Sequence, residues 1–476
     1  MRKLILTCLA VCIFHAGFSQ TAKHKYTLII TNAKIVDVAH GKIISNKLIA
    51  ISGTTIKVVD DVKMLSRYKA TQYINAKGKY VMTGLWDMHI HLRGGDTMIN
   101  DNKALLTLFL AYGVTTVREC GGDIVSSVLS WRRQINQGTM IGPRIFTAGP
   151  KLDGPKPTWA GSIEVETPTQ ISKALDSLRK LKVDFVKIYD SKISREAYLE
   201  IISQAEKRGM KSTGHMPYTV KLTDAVARGL DGSEHLYYVF KACSAKEDSI
   251  TNLIIQSQHT DKPIGLFAAL PMVYNTYSDA TANKVFKYLA QKHFTITPTL
   301  FVSKTLNEIK ETDHSKDSLL AYISPKIQAT YRGRIVSAKR ASDESTAFTK
   351  KFEAKCASLV PKMYKAGINI VAGSDCGAFN SYVYPGSSLH EELKLLVASG
   401  LTPDQALKTA TINGAKFMAV SKHYGALTAG KCSDMLVLDS NPLQNINAVD
   451  QINTVIAHGK VYTKADLDGM LKAIKH

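Results

Sequence analysis

This chain of 476 residues has no CxxC pair, no apolar run of bilayer length and no low-complexity tract. Its seven cysteines are scattered, and two of them, Cys8 and Cys12, fall within the first twenty residues. A disulfide scaffold or a zinc ribbon is therefore not indicated. Without a stretch of roughly 20 apolar residues, no membrane span is expected. A composition of 45% hydrophobic and 21% charged residues lacks the biases of disordered or fibrous proteins, so a large buried core is expected. Acidic residues are in deficit, 40 against 61 basic ones, for a formal charge of +21. The lysines are spread along the whole chain rather than clustered with aromatics, and no nucleic-acid module is recognisable. The excess reads as a solvated basic surface, with no nucleic-acid partner.

What is present begins with a leader. Arg2 and Lys3 precede an apolar run over residues 4–14, followed by small residues around Gly17 and Ser19. This is the three-part pattern of an export signal, and cleavage is expected near Ser19 or Gln20. Val11, not a small residue, precedes Cys12, which argues against a lipoprotein. A secreted or periplasmic mature protein follows, and loss of Arg2 and Lys3 takes the charge from +21 to +19.

Residues 26–36 and 47–59 read as short β-segments punctuated by Gly41 and Gly53, and residues 434–439 and 452–462 repeat the pattern at the far end. The two ends are expected to fold together as a small β-sandwich domain, from 21–80 and 421–476 after a signal at 1–20. Between them, over 81–420, strand-like runs alternate with helical spacing. Eight candidate strands lie at 84–92, 113–119, 144–148, 185–189, 211–216, 232–236, 294–300 and 368–374. Eight such units predict an α/β fold, a (β/α)8 TIM-like barrel whose site lies at the carboxyl ends of the strands. Two stretches, 239–291 and 302–360, are too long for the repeat and read as helical pocket walls.

His89 and His91 stand two apart on the first barrel strand, so both imidazoles share one face and can meet one metal ion. Around them the chain carries GLWDMHIHL at 84–92, GVTTVREC at 113–120, VDFVKIYD at 183–190, TGHMP at 213–217, GSEHL at 232–236 and AGSD at 372–375. LTPDQALKTATINGAKFM and GALTAGKCSDMLVLDSNP follow. These motifs resemble the amidohydrolase superfamily, in its branch of imidazolonepropionase-related hydrolases and Xaa-Pro dipeptidase-like enzymes. The resemblance covers nearly the whole mature chain. It implies that His89, His91 and Asp375 bind one metal ion, that His215 and His235 bind a second, and that Lys187 bridges them as a carbamate. A free ammonium cannot ligate a cation, whereas a lysine that has lost its proton and gained carbon dioxide offers anionic oxygen. Zinc is the first expectation for such nitrogen and oxygen ligands; manganese, cobalt and iron also suit them.

The chemistry implied is hydrolysis of an amide-type C–N bond in a dipeptide, N-acyl amino acid or cyclic amide. The nucleophile is a hydroxide held between the two ions, with Asp375 as the catalytic proton carrier. Tyr189 and Trp159, in the loop 155–161, are candidate substrate contacts. Arg118 reads as a structural ion pair, Glu119 replaces an expected aspartate, Cys376 reads as a small buried residue, and His390 is placed on a helix surrounding the pocket. A mononuclear deaminase or imidazolone-type hydrolase on the same fold is the alternative. Such enzymes carry a glutamate three residues after the fifth-strand histidine, where this chain has Tyr218. A non-catalytic barrel scaffold should have lost ligands, and all six are present. The expected partner is a small-molecule or dipeptide substrate; a homo-oligomer is left open, because an interface is not legible in one sequence.

Overall fold

A computed structural model describes residues 25–476, and the expected export signal at 1–20 lies outside the described residues. Five strands open the chain: β1 Lys25–Asp37, β2 Lys42–Ser52, β3 Thr55–Asp61, β4 Lys69–Asn75 and β5 Tyr80–Thr83. Gly53, at φ +57°, turns β2 into β3, the left-handed conformation that glycine adopts without a Cβ clash. Strand periodicity sends Leu28, Ile30, Ile49 and Ile51 into one apolar cluster and Ile29, Leu48 and Ala50 into another on the opposite face. With both faces covered, the centre of β1, Leu28, Ile29 and Ile30, is apolar on both sides.

The far end of the chain supplies β16 Met435–Leu438, β17 Ile452–Ala457 and β18 Lys460–Thr463, given ten strands between. β16 pairs antiparallel with β5, from Met435 opposite Thr83 to Leu438 opposite Tyr80. One eight-stranded sheet results, in the order β18-β17-β16-β5-β1-β2-β3, with β4 parallel to β1. Its far edge returns to the segment before β16, where the Ile56 amide donates to Lys431 O (2.8 Å) and the Ser433 amide to Thr54 O (3.0 Å).

The intervening strands are β6 Leu85–Ile90, β7 Val114–Glu119, β8 Arg144–Thr147, β9 Leu152–Asp153, β10 Ile163–Glu164, β11 Val186–Ile188, β12 Ser212–Gly214, β13 Gly232–Glu234, β14 Thr295–Thr297 and β15 Asn369–Ile370. All pair in parallel, as the sheets β6-β7-β8, β10-β9-β11-β12 and β13-β14-β15. Backbone hydrogen bonds link one sheet to the next, among them Asp184 N to Thr147 O (2.9 Å), Asp231 N to Ser212 O (3.0 Å) and Met88 N to Ala372 O (2.9 Å). The eight expected strands are thus present in order, though shorter than anticipated, and β9 and β10 are an unforeseen pair inserted after β8. Parallel strands joined by helical crossovers make this a TIM-barrel-like α/β architecture.

The crossover helices carry the signals that parallel packing requires. Helix Pro168–Lys180 starts with a Thr167–Gln170 capping box and a proline in its first turn, and buries Ile171, Ala174, Leu175 and Leu178 at helical spacing. The two long stretches are helical, as expected. Helix Leu266–Asn275 in the first, and helices Leu300–Glu308, Arg332–Arg340 and Asp343–Ala357 in the second, contribute to the wall of one pocket. The terminal helix Lys464–Ala473 was not anticipated. Among the described residues no helix is long and apolar enough to cross a membrane.

Close backbone approach at the strand ends fixes the positions that matter for chemistry. Gly214 has φ +147°, and a Cβ there would stand 2.0 Å from Ile188 O on the neighbouring strand. Gly214→Ala is therefore expected to force β12 away from β11 and destabilise the protein by about 2–4 kcal/mol, read as a lowered denaturation midpoint. A wild-type midpoint would show that the strand spacing is not under this constraint.

Candidate metal centre and pocket

His89 and His91 project from the end of β6 with their Nε2 atoms 3.3 Å apart. Asp375, beyond β15, brings Oδ1 to 3.3 Å from His91 Nε2 and 3.6 Å from His89 Nε2. Its amide donates to His89 O (2.7 Å) and its Oδ1 accepts from Asn380 Nδ2 (2.9 Å), so the carboxylate is held from both ends. His235, immediately after β13, places Nε2 3.8 Å from the other Asp375 oxygen. The ring of His215, immediately after β12, lies 4.9 Å from that of His235. Lys187, inside β11, is fully buried, and its Nζ has no hydrogen-bond partner; the nearest carboxylate oxygen, Glu234 Oε1, is 3.6 Å away. The fold thus brings these side chains to one end of the parallel strands.

Two of the imidazoles are hydrogen-bonded through Nδ1, and the other two face a carboxylate with that nitrogen. His91 Nδ1 lies 2.9 Å from Gly121 O, His235 Nδ1 2.6 Å from Thr299 Oγ1, His89 Nδ1 3.0 Å from Glu234 Oε2 and His215 Nδ1 3.5 Å from Asp190 Oδ1. This arrangement sets ring orientation and tautomer and leaves the opposite nitrogen available. Burial, with the Lys187 charge second, lowers His89 to about 3, and burial also holds His91 and His215 well below the usual histidine value and lowers His235. Neutral imidazoles are the form that ligates a cation. Three residues here occupy the left-handed region without being glycine: His235 (φ 60°), Asp375 (φ 57°) and Thr299 (φ 50°). Such strain, of order 1–3 kcal/mol per residue, persists where surroundings dictate it and concentrates at functional sites.

A second grouping of donors, His89, Cys120 and Glu234, also lies within metal-binding reach of itself. Both Glu234 oxygens are already taken by Arg118 Nη2 (3.0 and 2.9 Å), with Thr213 Oγ1 donating at 2.9 Å, and burial pushes the Cys120 thiol up to about 12. A protonated thiol and a saturated carboxylate make poor ligands, so the His89, His91 and Asp375 grouping is the better metal candidate. The Arg118 ion pair read from sequence exists, with Glu234 as its buried partner.

Beside this cluster opens a pocket of about 420 Å³. Trp159 and Tyr189 both line it; the Tyr189 ring is 4.3 Å from that of His215, and Trp159 meets Tyr189 edge-on at 6.3 Å. Arg93, Phe267, Lys310 and Arg334 complete much of the wall. Cys376 is buried, as expected. His390, on helix Ser387–Ala398, instead ties that helix to Asp450 Oδ1 and Tyr112 O (2.8 Å each) and does not line the pocket. Glu234, Asp190, Thr299 and Asn380 escaped the sequence reading. Only Glu234 left a signal, as a charged residue inside an otherwise buried strand.

Residues 80–462 match the sequence profile of the amidohydrolase family. Ochratoxinase of Aspergillus niger is 22% identical over 457 aligned residues, 87% of this chain and 80% of that protein. Among solved structures, bottromycin amidohydrolase superposes with a TM-score of 0.72 at 19% identity, covering 94% of this chain and 90% of the other. A Xaa-Pro dipeptidase with methionine bound in its active site superposes with a TM-score of 0.64 at 18% identity, covering 92% and 99%. At these identities the structural likenesses speak for the fold. The profile match spans most of the chain, and with it this protein belongs to the amidohydrolase family of enzymes that hydrolyse carbon–nitrogen bonds.

Proposed function

We propose that this chain is a binuclear metal-dependent hydrolase that cleaves an amide-type C–N bond in a dipeptide, an N-acyl amino acid or a cyclic amide. The observation that carries the reading is the set of four neutral imidazoles, each with one nitrogen turned to a carboxylate, carbonyl or hydroxyl oxygen, around Asp375 and a buried Lys187 amine that has no hydrogen bond among the described residues. The family generally uses divalent metals, and these donors fit them. His89, His91 and Asp375 would hold one ion and His215 and His235 the other. Lys187, converted by carbon dioxide to a carbamate, would lie between them. A buried amine without a hydrogen bond is costly, and conversion to an anionic oxygen donor that meets a cation removes that cost. When bound, two divalent ions, zinc by ligand type, supply a nucleophilic hydroxide at neutral pH and polarise the substrate carbonyl.

The protein's own groups do the rest. Asp375, fixed by Asn380, accepts a proton from the attacking water and returns it to the leaving nitrogen. Tyr189 and Trp159 form one wall against the substrate, and the helices of the two long insertions limit water access from above. A pocket of about 420 Å³ suits a dipeptide-sized ligand. Ochratoxinase, a Xaa-Pro dipeptidase and bottromycin amidohydrolase, similar over most of their lengths, support a small amide substrate. The mononuclear alternative finds no support at Tyr218, whose hydroxyl donates to Tyr237 O (2.9 Å) rather than entering the pocket.

Two structural readings accompany this one. Without the inserted pair β9 and β10, the eight remaining parallel strands form one closed barrel, and the terminal sheet curls over its own core as a small sandwich. The leader at 1–20 directs export.

The test is metal content and turnover of mature protein purified without chelators in the presence of bicarbonate. Close to two ions per chain and hydrolysis within a panel of dipeptides, N-acyl amino acids and cyclic amides are expected. A single ion with deaminase activity would move the chain to the mononuclear class, and no binding of zinc or manganese would remove the hydrolase reading.

A further inference from the structure

We propose that Arg93 anchors a free carboxylate on the substrate, so that the scissile amide belongs to a carboxylate-bearing molecule, such as a dipeptide or N-acyl amino acid, rather than to a neutral amide. This rests on the hydrolase reading of the same pocket. Arg93 follows His91 by two residues and lines the pocket although the residue is only 4% exposed. Its backbone is clamped by Asn102, which accepts from the Arg93 amide (3.1 Å) and donates to its carbonyl (3.0 Å). Nε donates to Ala378 O (2.9 Å), and the guanidinium carbon sits 3.8 Å above the Trp159 ring and 5.6 Å from that of Phe379.

Those contacts fix the plane of the guanidinium but leave its two terminal nitrogens without a hydrogen bond, and no carboxylate of the described residues lies within ion-pair distance. Arg118, equally buried, is saturated by both oxygens of Glu234. A desolvated charge without a counter-ion is costly, and a planar fork of donors matches a carboxylate. The surroundings add positive charge. Lys151, also buried, lies 5.6 Å over the same Trp159 ring, and Arg334, exposed on helix Arg332–Arg340, also lines the pocket. Nearby Asp123 has an oxygen engaged by the Gly94 amide (2.9 Å), and Glu119 by Thr147 (2.7 Å). Asp375 is committed to the candidate metal ligands. An anionic group on the substrate supplies the missing partner within reach of the imidazole cluster.

The experiment compares dipeptides with their C-terminal carboxamides on metal-loaded enzyme, following release of the N-terminal amino acid. Wild type is expected to favour the acids in kcat/KM by about ten- to a hundred-fold. Arg93→Met should collapse that ratio towards one, chiefly by raising KM for the acids; Arg93→Lys should retain part of it. Arg334→Gln, at an exposed position, should reduce it by a few-fold at most, roughly. A purely structural role for Arg93 would slow acids and carboxamides alike and keep the wild-type ratio, which overturns the proposal, as does a wild-type ratio near one. Turnover of neither series overturns the hydrolase reading and the anchor with it. If Arg93→Met does not fold, competitive inhibition of wild type by an N-methylated dipeptide and by its carboxamide reads the same preference; equal inhibition overturns the anchor.

Discussion

Lys187→Ala is expected to lower the metal content of the purified enzyme well below that of wild type and to cut kcat/KM by roughly three orders of magnitude. The argument starts from burial. The Lys187 amine is fully enclosed, lacks a hydrogen-bond partner and stands 3.6 Å from the nearest carboxylate oxygen. Removing it relieves a buried charge without a hydrogen bond but also withdraws a cation from Glu234, and with the two changes offsetting each other the variant should fold with a denaturation midpoint within about 1 kcal/mol of wild type in chelator. Only in the presence of metal should the two proteins diverge, because only there does a bridging carbamate oxygen matter. The side chain removed leaves a cavity open to a small anion, and short carboxylic acids such as acetate should restore part of the lost activity. Full metal content and unimpaired turnover in Lys187→Ala would exclude the carbamate. A variant destabilised equally with and without metal would show that the lysine serves the fold instead.

How much of this was legible in the sequence depends on the direction in which a side chain points. His89, His91, His215, His235 and Asp375 lie at or just beyond strand ends, where short motifs mark them, and the fold gathers them at one end of the sheets. Glu234 precedes His235 by one residue, and its carboxylate lies among Arg118, Thr213 and His89, side chains of three other strands, a neighbourhood no local spacing announces. Arg118 was readable as half of an ion pair, but its partner is 116 residues away. The strands were recognisable by their apolar runs, whereas the two-residue strands β9 and β10 are too short to leave a pattern. The final helix did leave one, a capping box from Thr463 to Asp466, overshadowed by the β-like run that precedes it. The charge balance of the pocket was illegible, since Arg93, Lys151 and Arg334 come from three separate segments.

Glu234 carries the second large expectation, because three different tasks end on its carboxylate. Burial alone pushes that group up, but Arg118 and the Lys187 amine together hold it well below the usual carboxylate range, so it is ionised in the metal-free chain. It neutralises Arg118 in a fully enclosed space, accepts from Thr213 and stands 3.0 Å from Nδ1 of His89. Glu234→Ala is expected to destabilise the protein by about 3–5 kcal/mol, since it strands a buried guanidinium. It should also weaken metal binding by roughly ten- to a hundred-fold, because the His89 ring loses the group that orients it. The two effects separate in Arg118→Met/Glu234→Leu, in which no guanidinium is left stranded. That double variant should recover much of the denaturation midpoint measured in chelator while remaining as poor a metal binder as Glu234→Ala in competition with a chromogenic chelator. Glu234→Gln should fall between, since one amide oxygen must then serve both Arg118 and His89. Wild-type stability and wild-type metal affinity in Glu234→Ala would mean that neither the ion pair nor the ring anchor has the weight assigned to it. Recovery of metal affinity in the double variant would trace the loss to disturbed packing around β13 rather than to the orientation of His89.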